Sequence, residues 1–374
     1  MPFAREAFST LGDVQIVEGR AIGPEHVRDA DLLAVRSTTR VDARLLEGSR
    51  VRFVGTATIG IDHMDIAYLE RRGIHWCYAP GCNANSVSEY VTAALLCLAN
   101  CRGFTLEGKT IGVVGVGNVG RLMVLKAQAL GMRVLQNDPP RQRAERTPDF
   151  VSLDQILEEA DVVTLHVPLT RMGPDATYHM AEERFFARLK CGAIFINCAR
   201  GATTDTAALI NALNQGVAAD AVIDTWEGEP EYSLELLART AIATPHIAGH
   251  SFEGRVMGTV MVYREACRFL GVEPQWTPDD CWPPPPVPRV QVNSRGRPDE
   301  AVLWEIVRQV YDIEADDRSF RESSRADLPT RRVRFDELRR NYPMRREFRF
   351  TRVVLEPGVD QLRRKVADLG FQVE

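Results

Sequence analysis

The sequence predicts an α/β protein built on a doubly wound parallel sheet, and three observations carry that expectation. Short apolar runs alternate with helix-like stretches through most of the 374 residues. One of those runs ends in a glycine motif that opens a helix. A proline-rich stretch then sets off a last segment of different composition. At about 100 to 200 residues per domain the length allows two or three domains.

Taken in order, Phe3 to Leu11 reads as a helix, and Asp31 to Arg36 and Val51 to Thr56 as short strands around Leu-Leu-Ala-Val and Val-Arg-Phe-Val. The alternation then strengthens. Thr110 to Gly115 reads as a buried strand, Val119 to Leu130 as a helix ending at Gly131, and Arg133 to Asn137 as the next strand, a strand-helix-strand unit of about 30 residues. Further strands fit Val162 to His166, Ala193 to Asn197, Ala221 to Asp224 and Ala241 to Thr244, with helices at Leu153 to Glu159 and Ala207 to Gln215. Continuous apolar runs of this length suit strands covered on both faces.

Cys281-Trp-Pro-Pro-Pro-Pro-Val-Pro288 cannot continue a helix or a central strand, because proline lacks the amide hydrogen and fixes φ, so it reads as a linker over 281–288. Beyond it, residues 289–374 carry 19 Lys/Arg and 16 Asp/Glu in mixed order, with a strand expected at Phe348 to Leu355 and a helix at Val359 to Leu369. Interspersed signs suit a solvated surface or a subunit contact better than nucleic-acid binding.

Composition excludes several classes. With 45% hydrophobic and 26% charged residues and a net charge of −5, the chain is neither disordered nor collagenous. No uninterrupted apolar run reaches the roughly 18 to 20 residues of a membrane span, and Met1 to Glu6 lacks the basic-then-apolar layout of a signal peptide, so a cytoplasmic, membrane-free protein is expected. The cysteines, 77, 82, 97, 101, 191, 198, 267 and 281, form no C-x-x-C, so buried reduced thiols are expected, with no metal.

Gly115-Val-Gly-Asn-Val-Gly120 is a G-x-G-x-x-G in the context that gives the pattern meaning, after a strand and before a helix. Gly115 permits the tight turn, Gly117 lets backbone approach a pyrophosphate, and Gly120 lets helix and strand pack closely. The phosphates would sit on the helix N-terminus near Asn118 and Val119. Asp138 closes the next strand, where its carboxylate can accept from ribose hydroxyls and would repel a 2′-phosphate. NAD is therefore the expected cofactor, with Arg141 nearby.

Three more residues stand at or after strand ends, where open α/β sheets bind ligands: Arg200, Glu229 and His246. Singly they read as a surface ion pair, a loop acid and a core histidine. Together, downstream of a dinucleotide site, they supply a guanidinium fork for a carboxylate, a base for a hydroxyl proton, and a second carboxylate to orient the imidazole.

On these motifs, with Val35-Arg-Ser37, Gly55-Thr-Ala-Thr58, Pro80-Gly-Cys-Asn83, Asp138-Pro-Pro-Arg141, Asp224 to Pro230 and His246 to His250, almost the whole chain resembles the D-isomer-specific 2-hydroxyacid dehydrogenases. Within that family it is similar to the branch that oxidises 4-phospho-D-erythronate with NAD in pyridoxal phosphate biosynthesis. The resemblance implies a doubly wound Rossmann NAD domain (92–249) inserted in a smaller flavodoxin-like α/β substrate domain (1–91 and 250–280), which clasps it. An α+β C-terminal dimerisation domain (289–374) would follow, making a homodimer. It implies Arg200, Glu229 and His246 as catalytic. Cofactor contacts would be Gly115, Gly117, Asn118, Val119, Gly120, Asp138, Val167, Cys198, Ala199, Arg200, Asp224 and Gly249. Ser37, Thr58 and His250 would contact substrate.

His250 stands where that branch carries tyrosine, and the Phe3 to Leu11 helix stands where it opens with a strand, so either a start upstream of Met1 or an altered edge of the outer sheet is expected. Another dehydrogenase, acting on 3-phosphoglycerate or on glyoxylate or glycerate, remains an alternative, as does a nonenzymatic NAD-sensing protein. The sensor needs the nucleotide site but no base, and Arg200, Glu229 and His246 together argue against it.

Overall fold

Buried strands with helices on their faces organise the chain into two compact units, Met1–Asn83 with Ser251–Pro284, and Ala84–His250 with Pro285–Glu374. The computed structural model describes residues 1–279, 282–357 and 359–374, so Cys281, first residue of the expected linker, and Asp280 lie outside the described residues. The first unit carries a parallel sheet of β1 (Leu32–Val35), β2 (Phe53–Thr56) and β3 (His75–Cys77), in that order. Both expected strands there are shorter than the sequence suggested. The helix Phe252–Leu270, which the sequence reading had not identified, packs on β2 and buries Val262, Tyr263 and Ala266 with Phe53.

The second unit holds a six-stranded parallel sheet in the order β5-β4-β6-β7-β8-β9. Its strands are β4 (Thr110–Val114), β5 (Arg133–Asn137), β6 (Val162–Leu165), β7 (Ala193–Asn197), β8 (Ala218–Ile223) and β9 (Ile242–Ala243). The order steps outward to both sides from β4, the doubly wound arrangement. Every residue of β4, β6 and β7 is buried, which is why they read as unbroken apolar runs. The helix Asn118–Ala129 turns Gly120, Met123, Val124 and Ala127 inward at helical spacing.

Residues past the prolines do not stand apart from this sheet. A parallel three-stranded sheet of β10 (Arg289–Asn293), β11 (Arg352–Glu356) and β12 (Gln372–Val373) shares one hydrophobic core with the six-stranded sheet and its helices, in which Val290, Val307 and Val353 join Leu95, Leu98 and Met123. The expected strand at Phe348 begins instead as a single 3-10 turn, Phe348–Phe350, before β11. The helix Asp299–Val310 packs on the helix Ala84–Arg102, and Asp360–Asp368 on Asn118–Ala129. Lys126, buried in that contact, donates to the Leu369 carbonyl at 2.7 Å.

Among the described residues no helix is long and apolar enough to cross a membrane. The described cysteines are free thiols, but not all are buried: Cys101, at the end of the helix Ala84–Arg102, and Cys191, in the turn before β7, are exposed.

Candidate active site

Since all six strands run parallel, their carboxyl ends meet at one edge of the sheet, and the loops there carry the expected residues. Gly115 follows β4 with φ +85°, and a Cβ there would come within 2.8 Å of the His166 carbonyl and Val167 Cγ1. A Cβ on Gly120 would lie 2.0 Å from the Gly115 carbonyl oxygen, so only glycine lets the helix start so close to the strand. Gly117, just before that helix, faces open space: nothing lies within 4 Å of where its Cβ would be. This space beside the first-turn amides of Asn118 and Val119 fits a pyrophosphate.

Asp138 holds the loop from the next strand. Its Oδ2 accepts from the Val116 amide at 2.9 Å and its Oδ1 from the Arg141 amide at 3.0 Å, capping the helix Pro139–Glu145. Arg141, the residue that could welcome a 2′-phosphate, is turned to Glu145 by two hydrogen bonds and to the Val116 carbonyl by a third. Val167 follows β6, and Cys198 and Ala199 follow β7 in buried positions, where burial pushes the Cys198 thiol far up.

Arg200 sits in a loop ordered by one buried carboxamide. Asn197 Nδ2 donates to the Arg200 carbonyl at 3.0 Å and to Thr203 and Thr204 hydroxyls, while its Oδ1 accepts from the Ala199 amide at 3.0 Å. The next residue, Gly201, lies against the neighbouring loop so closely that a Cβ would fall 2.0 Å from the Trp226 carbonyl carbon. The loops after β7 and β8 are thereby held backbone to backbone, which places Arg200 beside the loop of Glu229.

Glu229 and His246 meet directly. His246 Nδ1 lies 2.5 Å from Glu229 Oε1, and Glu229 Oε2 accepts from the Trp226 amide at 3.1 Å. Burial alone would raise the Glu229 carboxyl; the facing imidazole and its hydrogen bond, aided by the Arg339 guanidinium, outweigh it and hold the group below its ordinary range. His246 is in the left-handed region, φ +57°, which is uncommon for a residue with a Cβ. Asp224 holds it there. The Asp224 carboxylate accepts from the Ile247 and Ala248 amides and from the Thr244 hydroxyl, and its backbone carbonyl accepts from the His246 amide at 2.7 Å. Burial raises the Asp224 carboxyl, and these donors counter it.

Asp224, expected as a cofactor contact, thus acts on the His246 loop; Gly249 lies in the same turn, and His250 closes it with its amide on the Ile247 carbonyl. In the other unit, Ser37 is exposed just beyond β1, and Thr58 beyond β2 donates to the Gly60 carbonyl at 2.8 Å while bonding the Thr56 hydroxyl. The residues the sequence reading missed are those whose work is done by packing: Asn197, Thr244 and Tyr90, whose hydroxyl lies 2.7 Å from that of Thr244. No local motif marks them.

Residues 90–248 match the family model of the D-isomer specific 2-hydroxyacid dehydrogenase NAD binding domain, and residues 282–370 match a domain of unknown function. The chain is 47% identical to the erythronate-4-phosphate dehydrogenase of Azotobacter vinelandii over all of its length and 97% of that protein. It is 46% identical to that of Escherichia fergusonii, over 93% of this chain and 90% of that protein. Among solved structures, a D-lactate dehydrogenase from Aquifex aeolicus complexed with NAD and lactic acid aligns with a TM-score of 0.60 at 25% identity, covering 72% of this chain and 92% of that one.

Proposed function

The chain belongs to the erythronate-4-phosphate dehydrogenase family of NAD-dependent D-2-hydroxyacid dehydrogenases, and from that premise we propose that it oxidises 4-phospho-D-erythronate to 2-oxo-3-hydroxy-4-phosphobutanoate in pyridoxal phosphate biosynthesis. The observation that carries this reading is the His246–Glu229 pair, poised at the same sheet edge as the Gly115–Gly120 cradle.

Bound NAD supplies the hydride acceptor. The chain's own residues do the rest. With Nδ1 turned to Glu229, the His246 ring presents Nε2 as the nitrogen that takes the C2 hydroxyl proton, and Glu229 bears the charge that balances the resulting imidazolium. Arg200 grips the substrate carboxylate with its planar fork. His250, at the end of the His246 loop, contacts the remainder of the substrate. Asp138 excludes a 2′-phosphate, and Arg141, committed to Glu145, offers that phosphate little.

The exposed apolar side chains Leu328, Val333 and Met344 in the C-terminal segment support a homodimer, since a second subunit would cover them. Light scattering of a Leu328→Glu, Val333→Glu variant reads this: a monomer is expected, and an unchanged dimer would move the contact elsewhere. The functional reading is tested by NAD reduction with 4-phospho-D-erythronate beside 3-phosphoglycerate and glycerate. The first should be the preferred substrate; a clear preference for either rival overturns the assignment.

A further inference from the structure

The C-terminal segment, residues 282–370 of which match a domain of unknown function, reaches the loop that carries His246, and it does so within the same chain and the same compact unit. Arg345 is buried there. Its Nη2 donates to the Ala248 carbonyl at 2.9 Å and to the Ser86 carbonyl at 2.6 Å, tying the residue two past His246 to the start of the long helix Ala84–Arg102. Its guanidinium lies over the Tyr311 ring, 4.2 Å from the centroid. Tyr311 and Tyr342 both donate their hydroxyls to Asp316 Oδ2, at 3.0 and 2.7 Å, and the Tyr342 ring stands edge-on to His250 at 5.9 Å. The next residue, Asp317, accepts through Oδ1 from the Ala243 amide, at the end of β9 that launches the His246 loop.

From the inside, Asp224 fixes residues 247 and 248 of that loop by their amides. Ala248 is therefore held on both sides, its amide by Asp224 and its carbonyl by Arg345. A buried, rigid guanidinium spanning two carbonyls is costly to bring out of water, and what it secures here is a backbone that must keep His246 at positive φ.

We infer that Arg345, supported by Tyr342 and Asp316, is a positioning residue of the reaction: the C-terminal segment sets the His246 loop so that the imidazole meets Glu229. This rests on the reading of His246 as the base. Arg345 touches neither imidazole nor carboxylate, so its effect passes through Ala248. An Arg345→Lys side chain keeps the charge but is shorter and has no planar group to lie on the Tyr311 ring, so it cannot hold one nitrogen at the same place between the two carbonyls.

The test uses the full-length NAD-bound enzyme and compares wild type with Arg345→Lys and Tyr342→Phe. Three quantities are read: NAD affinity, kcat with 4-phospho-D-erythronate, and the downfield proton resonance of the His246–Glu229 hydrogen bond, assigned by its loss in Glu229→Gln. Arg345→Lys should hold NAD within about twofold of wild type, lose about tenfold or more in kcat, and lose or shift the resonance, as a small misplacement of a reacting group does. Unchanged kcat and resonance in the folded variant overturn the inference. So does a fall in kcat with the resonance in place, or an equal loss of NAD affinity, since either marks a general structural defect. Should Arg345→Lys fail to fold, Tyr342→Phe decides: a fall in kcat of about threefold or more at unchanged NAD affinity supports the inference, and wild-type kcat overturns it. If wild type itself does not reduce NAD with this substrate, the functional reading fails, and the resonance alone judges the positioning claim.

Discussion

His246 Nδ1 lies 2.5 Å from Glu229 Oε1, a contact made between loops after two adjacent strands and 17 residues apart in sequence. The strand order puts both loops at one edge, and the Asp224 carboxylate then fixes the His246 peptide in the one backbone conformation that turns its ring to Glu229.

Glu229→Gln keeps the shape of that contact and removes its charge. Turnover should fall by about ten- to a hundredfold, because the imidazolium formed on proton transfer loses its counter-charge. NAD affinity, measured by fluorescence titration, should stay near wild type. A variant as fast as wild type would mean that Glu229 only fills space.

Arg200→Lys should raise KM and lower kcat together, since a lysine cannot offer the two-pronged grip on a carboxylate. Steady-state kinetics separate the two constants. A change confined to NAD affinity would place Arg200 with the cofactor alone.

Asp138 should make the enzyme select NAD over NADP by about tenfold or more, as a charged hydrogen bond is worth about 1.5 to 3 kcal/mol. Comparable dissociation constants for the two cofactors would refute this. Asp138→Ser should narrow the gap while loosening the Val116 turn that Asp138 also holds.

Much of this was legible in the sequence, and the reason is local. β7 and the Gly115–Gly120 turn could be read because a fully buried parallel strand is a continuous apolar run and because Gly115 and Gly120 each answer to a nearby backbone atom while Gly117 borders open space. The helix Ala84–Arg102 was not legible: nearly all its residues are buried, Ser86, Ser88, Glu89 and Thr92 among them, so no polar face marks a helical period. Asp224 was expected as a cofactor contact from the family resemblance; that its carboxylate also fixes the His246 loop was not legible, because its partners there, the amides of residues 247 and 248, are set by tertiary structure. For the same reason nothing in the composition of residues 289–374 told that Val290 and Val353 complete the core of the NAD domain.

His166, at the end of β6 behind Gly115, gives a pH prediction. Burial lowers its imidazole to about 4, from an ordinary 6.5, so the folded protein keeps it neutral while the unfolded chain protonates it. The sign follows: its contribution is complete above pH 6.5 and is lost as pH falls toward 4, by about 3 kcal/mol over that window. Asp316, raised by burial to about 6, and Glu89, raised by burial to about 8, act in the opposite sense, so the comparison must be with a variant. In denaturant melts, wild type should lose stability relative to His166→Gln as pH drops from 6.5 to 4.5. Parallel pH profiles for the two would show that His166 is not held neutral.

The proton abstraction assigned to His246 is tested most directly by the turnover of His246→Ala with NAD and 4-phospho-D-erythronate, set against wild type at saturating concentrations. A fall of about a hundredfold or more with NAD affinity unchanged is the expected result; turnover near that of wild type would contradict the assignment of His246 as the base.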